Sequence, residues 1–367
     1  MKKEGTVLVE RKNYLDVAKL FAVLTVIYVH SSIVHNPIRR TITAFFMPVF
    51  FVLYGIASSK RPIRSFKEVW EFFLKKVKSL LVPYGLWAMI CASSINVNFL
   101  KGVVFGSNYS LSQANTNAVL WFLPCMFVAV LVFQVYVNIR SRISRRAGRI
   151  GLSLLAMVIC GIISLWFNPY PCFFGFDIAF SGCLFMIIGE GYSEVFGDYW
   201  EKKPICVKLV LGMILFVITY VLVTLNLPYL KELGYQGVVM ALGAYGRYDL
   251  FLGGAIAGSL ALLMIAMLFQ KVRLFAYMGR FSLVIMAVHH ILFTFVKPLC
   301  NPIQNMRYGG QLFPITVTLC CFVICIPLCF IIDWAVPELN GKHSHMKRQE
   351  LAAVQSDPNK SGVNISE

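Results

Sequence analysis

Val17-Ala18-Lys19-Leu20-Phe21-Ala22-Val23-Leu24-Thr25-Val26-Ile27-Tyr28-Val29-His30 reads as a membrane span that carries two ionisable residues. The apolar character continues to Asn36, giving about 20 residues, the length that crosses a bilayer hydrocarbon core. In lipid every backbone polar group needs an internal partner, so such a run is helical. Nine further runs follow near 41–59, 80–100, 118–138, 150–167, 173–196, 205–226, 250–269, 274–298 and 312–336. The expectation is an all-α integral membrane protein, a polytopic bundle of about ten transmembrane helices; a β-barrel would show short alternating segments instead. Of 367 residues, 58% are hydrophobic and only 14% charged, against about 25% charged in ordinary soluble domains. That excludes a disordered chain, a secreted disulfide scaffold and a soluble nucleic-acid binder, so no nucleic-acid partner is expected.

The net charge of +17 has a location. With the N-terminus inside, 24 of the 34 Lys and Arg fall on one side of the membrane and 7 on the other. This bias places both termini in the cytoplasm, in a multi-pass protein of the cytoplasmic (inner) membrane whose basic face meets anionic lipid headgroups. Residues 1–16 then form a cytoplasmic segment, 17–336 the membrane domain, and 337–367 a polar tail expected to be disordered. The first span lacks a small-residue cleavage site and is expected to remain as a helix. Most of the eleven Cys lie within spans. Cys321, Cys325 and Cys329 share a helix face without a His or acidic partner, which reads as packing, and no metal site is expected. A bridge between Cys172 and Cys300 stays open.

Ionisable residues inside a membrane are costly and mark function by default. His30 lies 14 residues after Asp16, and His289 lies 15 after Leu274. Both spans run outward, so the two imidazoles reach one depth, roughly 21–23 Å above the inner boundary. Asp177, Trp121 and Pro124 fall near the outer ends of their spans, at the same level. A histidine near a carboxylate suits proton abstraction from a sugar hydroxyl; the plainer readings are an interhelical hydrogen bond for His289 or His290 and a helix cap for Asp177. His35 falls at the interface and needs no role. Lys19 precedes His30 by eleven residues, on nearly the same face.

On the inner side, Arg61–Ser79 reads as an amphipathic interfacial helix ending in Lys75, Lys76 and Lys78. It is either a membrane-surface anchor or a site for a polyanionic donor such as a coenzyme A phosphate group. Among motifs with known mechanics, no P-loop, zincin helix or nucleophile elbow occurs.

Taken together, these residues resemble the acyltransferase 3 family of integral membrane acyltransferases, especially its fucose 4-O-acetylase-like branch. Lys19 and His30, with ten residues between them, are similar to the family's basic-residue-x10-His motif. Phe45-Phe46-Met47-Pro48-Val49-Phe50-Phe51 with Gly55, Lys75–Lys78 before Leu81-Val82-Pro83-Tyr84, Leu120-Trp121-Phe122-Leu123-Pro124, Phe176-Asp177-Ile178-Ala179 and Gly279-Arg280-Phe281-Ser282-Leu283 leading to His289 resemble its other signatures in order. The resemblance implies O-acylation, usually O-acetylation, of a carbohydrate by cytosolic acetyl-CoA or another acyl-CoA. The implied catalytic residue is His30, as base or as transient acyl carrier, with Lys19 as basic partner and Lys75, Lys76 and Lys78 on the donor. His289 and Asp177 are the further catalytic candidates, and Trp121 the candidate for binding a glycan or lipid-linked saccharide acceptor. The branch often has a histidine where this chain has Phe46, and Tyr54-Gly55 replaces its Ser-Gly. The rival readings are a transporter or flippase of glycan, for which the halves show no symmetry, and a membrane scaffold, which leaves the Lys19–His30 spacing unexplained.

Overall fold

The computed structural model describes residues 12–32, 36–58, 60–167, 171–304, 306 and 309–342. His35, most of the segment 1–16 and the tail beyond 342 lie outside the described residues. The first helix, α1 (Asn13–Ser31), starts four residues earlier than its apolar run. Its end is set by the next start: the Asn36 side chain accepts from the Arg39 amide at 2.7 Å, and Pro37 takes the first helical position. An Asn cap followed by Pro is a pre-organised helix beginning. Two short helices, α2 (Pro37–Thr43) and α3 (Pro48–Ala57), make the second span, bent by 42°. The ring and missing amide of Pro48 break the helix at Phe45-Phe46-Met47-Pro48.

The third span differs from expectation. The amphipathic helix α4 (Phe66–Lys76) passes through one π turn, Val77–Leu81, into α5 (Val82–Ile90) and stops. Asn96 then caps a separate α6 (Val97–Phe105), followed by α7 (Asn108–Gln113). Ser93, Ser94 and Asn96 disfavour a helix interior, and Asn96 accepts from the Phe99 amide to start a new helix where hydropathy would continue the old one. Regular spans follow: α8 (Phe122–Arg140), α9 (Arg146–Phe167), α10 (Phe176–Phe196), α11 (Ile205–Glu232) and α12 (Tyr248–Leu268). The ninth run divides into α13 (Arg273–Gly279) and α14 (Ser282–Gln304), and α15 (Gly309–Ala335) is last. Among the described residues eight helices are long and apolar enough to cross a membrane, or nine with α2 and α3 counted as one span, where about ten were expected. No strand occurs among them.

The most polar span is among the most enclosed. α1 packs against α3, α12, α13, α14 and α15, which keeps Asp16, Lys19 and His30 off the lipid. α9 and α11 turn Leu, Ile and Val outward along most of their length. Helices approach through small residues: a Cβ on Gly55 would overlap the Met186 carbonyl, and one on Gly189 the Val52 carbonyl, so α3 and α10 touch backbone to backbone. Gly189→Ala is therefore expected to lower stability by about 1–3 kcal/mol, the cost of overpacking. Gly191→Ala, where an added Cβ meets nothing within 4 Å, is the control in detergent thermal unfolding.

Two details amend the sequence reading. The tail expected as disordered begins with an ordered turn, Pro337–Asn340: Trp87 Nε1 donates to the Leu339 carbonyl and Asn340 Nδ2 to the Arg280 carbonyl, each at 3.0 Å. No disulfide joins Cys172 and Cys300.

Candidate active site

His30 and His289 meet. Nδ1 of His30 lies 3.0 Å from Nε2 of His289 with the rings nearly parallel, and Nδ1 of His289 lies 2.6 Å from the Met286 carbonyl. A carbonyl only accepts, so His289 carries its proton on Nδ1 and, as a neutral imidazole, offers Nε2 as an acceptor. His30 must then donate from Nδ1, and its Nε2 keeps a free lone pair. That is the tautomer of a general base, held by a buried neighbour. Lys297 Nζ donates to the His30 carbonyl at 3.3 Å, a cation at the C-terminal end of α1. His290 stands beside the pair, 5.2 Å from His30 between ring centroids. The ligand nitrogens of the three histidines lie within 4.8 Å of one another, so this is the one group among the described residues with a geometry open to a transition-metal ion.

Lys19 does not reach His30. Eleven residues of helix separate them by about 16 Å, and Lys19 instead pairs with buried Asp16 at 3.1 Å, which Arg280 approaches at 3.7 Å. A Cβ on Gly279 would overlap the Asp16 carbonyl, and this close approach of α13 to α1 delivers Arg280 to the acid. Because α14 begins at Ser282, the depth counted from Leu274 does not describe His289. The two histidines share a level for another reason: Arg280 precedes His289 by nine residues much as Lys19 precedes His30 by eleven. Two cations facing one carboxylate leave a positive surplus. Lys19 and Arg280 line a cavity of about 260 Å³ with Tyr54, Leu80, Phe122 and Met286, toward the basic end of the bundle.

The lysines of α4 divide. Lys75 and Lys78 are exposed, whereas the Lys76 ammonium lies over the Tyr54 ring at 4.9 Å and the Phe72 ring at 5.3 Å, a cation–π arrangement beside a wall of that cavity. Burial, with Lys75 adding repulsion, pushes Lys76 down to about 8.

At the opposite end, His30 lines a cavity of about 430 Å³ with Arg39, Thr43, Phe46, Trp121 and Tyr235. Phe46, at the position where the branch often carries histidine, meets the His30 ring edge-on at 6.4 Å. Asp177 is not beside the histidines: it lines a neighbouring cavity of about 470 Å³. Trp121 borders both. Arg39, Asn108 and Tyr235 were not singled out from the sequence. The available signal was Arg39-Arg40, an arginine pair on the side that the charge bias leaves poor in cations.

Residues adjacent in sequence line the two cavities. Trp121 lines the outer cavity and Phe122 the inner; Phe46 and Met47 line the outer and Phe50 the inner. Met286 lines the inner cavity while its carbonyl holds His289, one turn along α14. The Phe50 and Phe122 rings, 5.5 Å apart, belong to this lining on the inner cavity's side.

The family profile described as "Acyltransferase domain" matches residues 12–334, nearly the whole chain. No curated protein and no solved structure matches it.

Proposed function

This chain belongs to the acyltransferase family matched over residues 12–334, and on that premise we propose that it transfers an acyl group, usually acetyl, from cytosolic acyl-CoA to a hydroxyl of a glycan or lipid-linked saccharide at the outer face of the cytoplasmic membrane. The observation that carries the reading is the pair of back-to-back cavities: cationic residues line the inner one, a free imidazole lone pair the outer. The Lys19–Arg280 surplus and Lys76 suit the phosphates of coenzyme A, with the thioester directed at the Phe50–Phe122–Met286 wall. His30 takes the acceptor hydroxyl proton through Nε2 as the oxygen attacks the thioester carbonyl. The adduct collapses with cleavage of the C–S bond, and the proton passes to the departing thiolate, leaving the ester and free coenzyme A thiol. His289 positions His30, and Arg39 offers positive charge beside it. Within the family, the Lys19–His30 motif and the Phe-Phe-Met-Pro bend keep the fucose 4-O-acetylase-like branch as our reading of its relationship.

The test is acyl transfer in vesicles carrying the purified protein, with labelled acetyl-CoA outside the basic face and glycan at the other. Label must appear on the glycan as an alkali-labile ester. Movement of glycan without label would establish the transporter instead. The donor side adds a pH signature. Lys76 is an ammonium below pH 8 and loses its charge above it, so the KM for acetyl-CoA is expected to rise by up to about tenfold from pH 7 to 9. Lys76→Arg, charged throughout, removes that rise; an unchanged profile in this variant would take Lys76 off the donor.

A further inference from the structure

The outer side holds more room than one sugar hydroxyl at His30 requires. The Asp177 cavity and the His30 cavity share Asn108, Trp121, Tyr235 and Ala241, so they are two lobes of one site on either side of a common wall. Each lobe by itself falls within the usual range of a small-molecule site, about 300–1,000 Å³. The Asp177 lobe adds Ser107, Tyr109 and Leu242.

Asp177 is only 6% exposed, and its Oδ1 has no hydrogen-bond partner among the described residues. Buried carboxylate oxygens are normally satisfied, and an orphaned one at a cavity wall points to a ligand that donates to it. The backbone presents this group deliberately. Phe174 and Gly175 both take left-handed conformations, at φ +55° and +59°, turning the chain into α10 so that Asp177 falls in its first turn. Phe174 in that region is strained for a side-chain-bearing residue. The other polar groups of the lobe are the Cys172 thiol, which hydrogen-bonds the Asp177 carboxylate, and neutral hydroxyls and an amide, flanked by the Trp121 indole. That set reads the hydroxyls and apolar face of a sugar.

We infer that Asp177 is an acceptor-selectivity residue: it accepts hydroxyl hydrogen bonds from a second sugar unit while the adjoining unit presents its hydroxyl to His30. The acceptor is accordingly an oligosaccharide of at least two units. This rests on the glycan acylation proposed above, and Asp177 takes no part in the proton transfer, since it lines the lobe away from His30.

The experiment uses the purified chain in vesicles and host envelope glycan stripped of esters and cut to mono-, di- and tetrasaccharides. Acetyl transfer is measured for each, and disaccharide binding is followed by tryptophan fluorescence with no donor present. The wild type is expected to prefer the disaccharide. Asp177→Asn should raise the disaccharide KM about tenfold or more, the loss expected for a charge-assisted hydrogen bond. Its effect on the disaccharide kcat and on the monosaccharide KM should be much smaller. Leu242→Trp, which fills the same lobe, should act in the same direction, and Asp177→Glu should partly restore affinity. Equal losses on mono- and disaccharide, or a fall in kcat alone, would overturn the assignment. Binding that depends on Asp177 with no acetyl transfer by the wild type would retain the subsite and remove the proposed reaction.

Discussion

Membranes carrying His30→Ala should transfer acetyl groups to glycan about 10²–10⁴-fold more slowly than wild type, the contribution of a positioned general base. The expectation follows from the tautomer chain: Met286 fixes the proton of His289 on Nδ1, and His289 fixes that of His30 on Nδ1, leaving Nε2 as the nitrogen with an available lone pair. His289→Ala should cost less, about 10–100-fold, as loss of an orienting neighbour does. The double variant should be no slower than His30→Ala alone, because a positioning residue has nothing left to position. Donor binding is a separate readout: both variants should retain coenzyme A binding, since the cations lie about 16 Å away along α1. Full transfer by a folded, inserted His30→Ala protein would exclude His30 as the base.

Much of this arrangement can be read from residue order, and the exceptions have physical causes. Hydropathy locates most of the long helices because the bilayer demands length and apolarity together. It fails at 80–100, where mean apolarity stays high while Asn96 caps the start of a separate helix. The meeting of His30 with His289 is legible as a common depth, yet the counting from Leu274 succeeds only because the break after Gly279 leaves Arg280 level with Lys19. Lys19 and His30 look like partners on a helical wheel; rise along the axis, which a wheel discards, separates them. Asp177, read as converging on the histidines, lines the adjoining lobe, because a shared depth says nothing of lateral position. Tyr235 and Asn108 come from connecting segments without periodicity, where sequence offers no frame for placing a side chain.

Met286→Trp should stop transfer to the acceptor, by about 10²-fold or more. Met286 lines the inner cavity and its carbonyl holds His289 one turn along α14, so an indole there fills space where the proposed reaction brings the thioester. Displacement of reacting groups by about 1 Å already costs on the order of 10²-fold. Met286→Leu, similar in volume, should behave nearly as wild type. The backbone carbonyl is present in both variants, so the histidine pair is undisturbed and the two substitutions separate passage from base. Phe122→Ala pushes the opposite way: removing one ring of the 5.5 Å Phe50–Phe122 contact widens the wall, and the variant should accept butyryl-CoA relative to acetyl-CoA better than wild type. Measured donor-chain ratios decide the matter. A wall that separates two unrelated cavities would leave those ratios unchanged in Phe122→Ala and transfer unaffected in Met286→Trp, whereas a wall at which acyl group and hydroxyl meet makes both properties answer to its side chains.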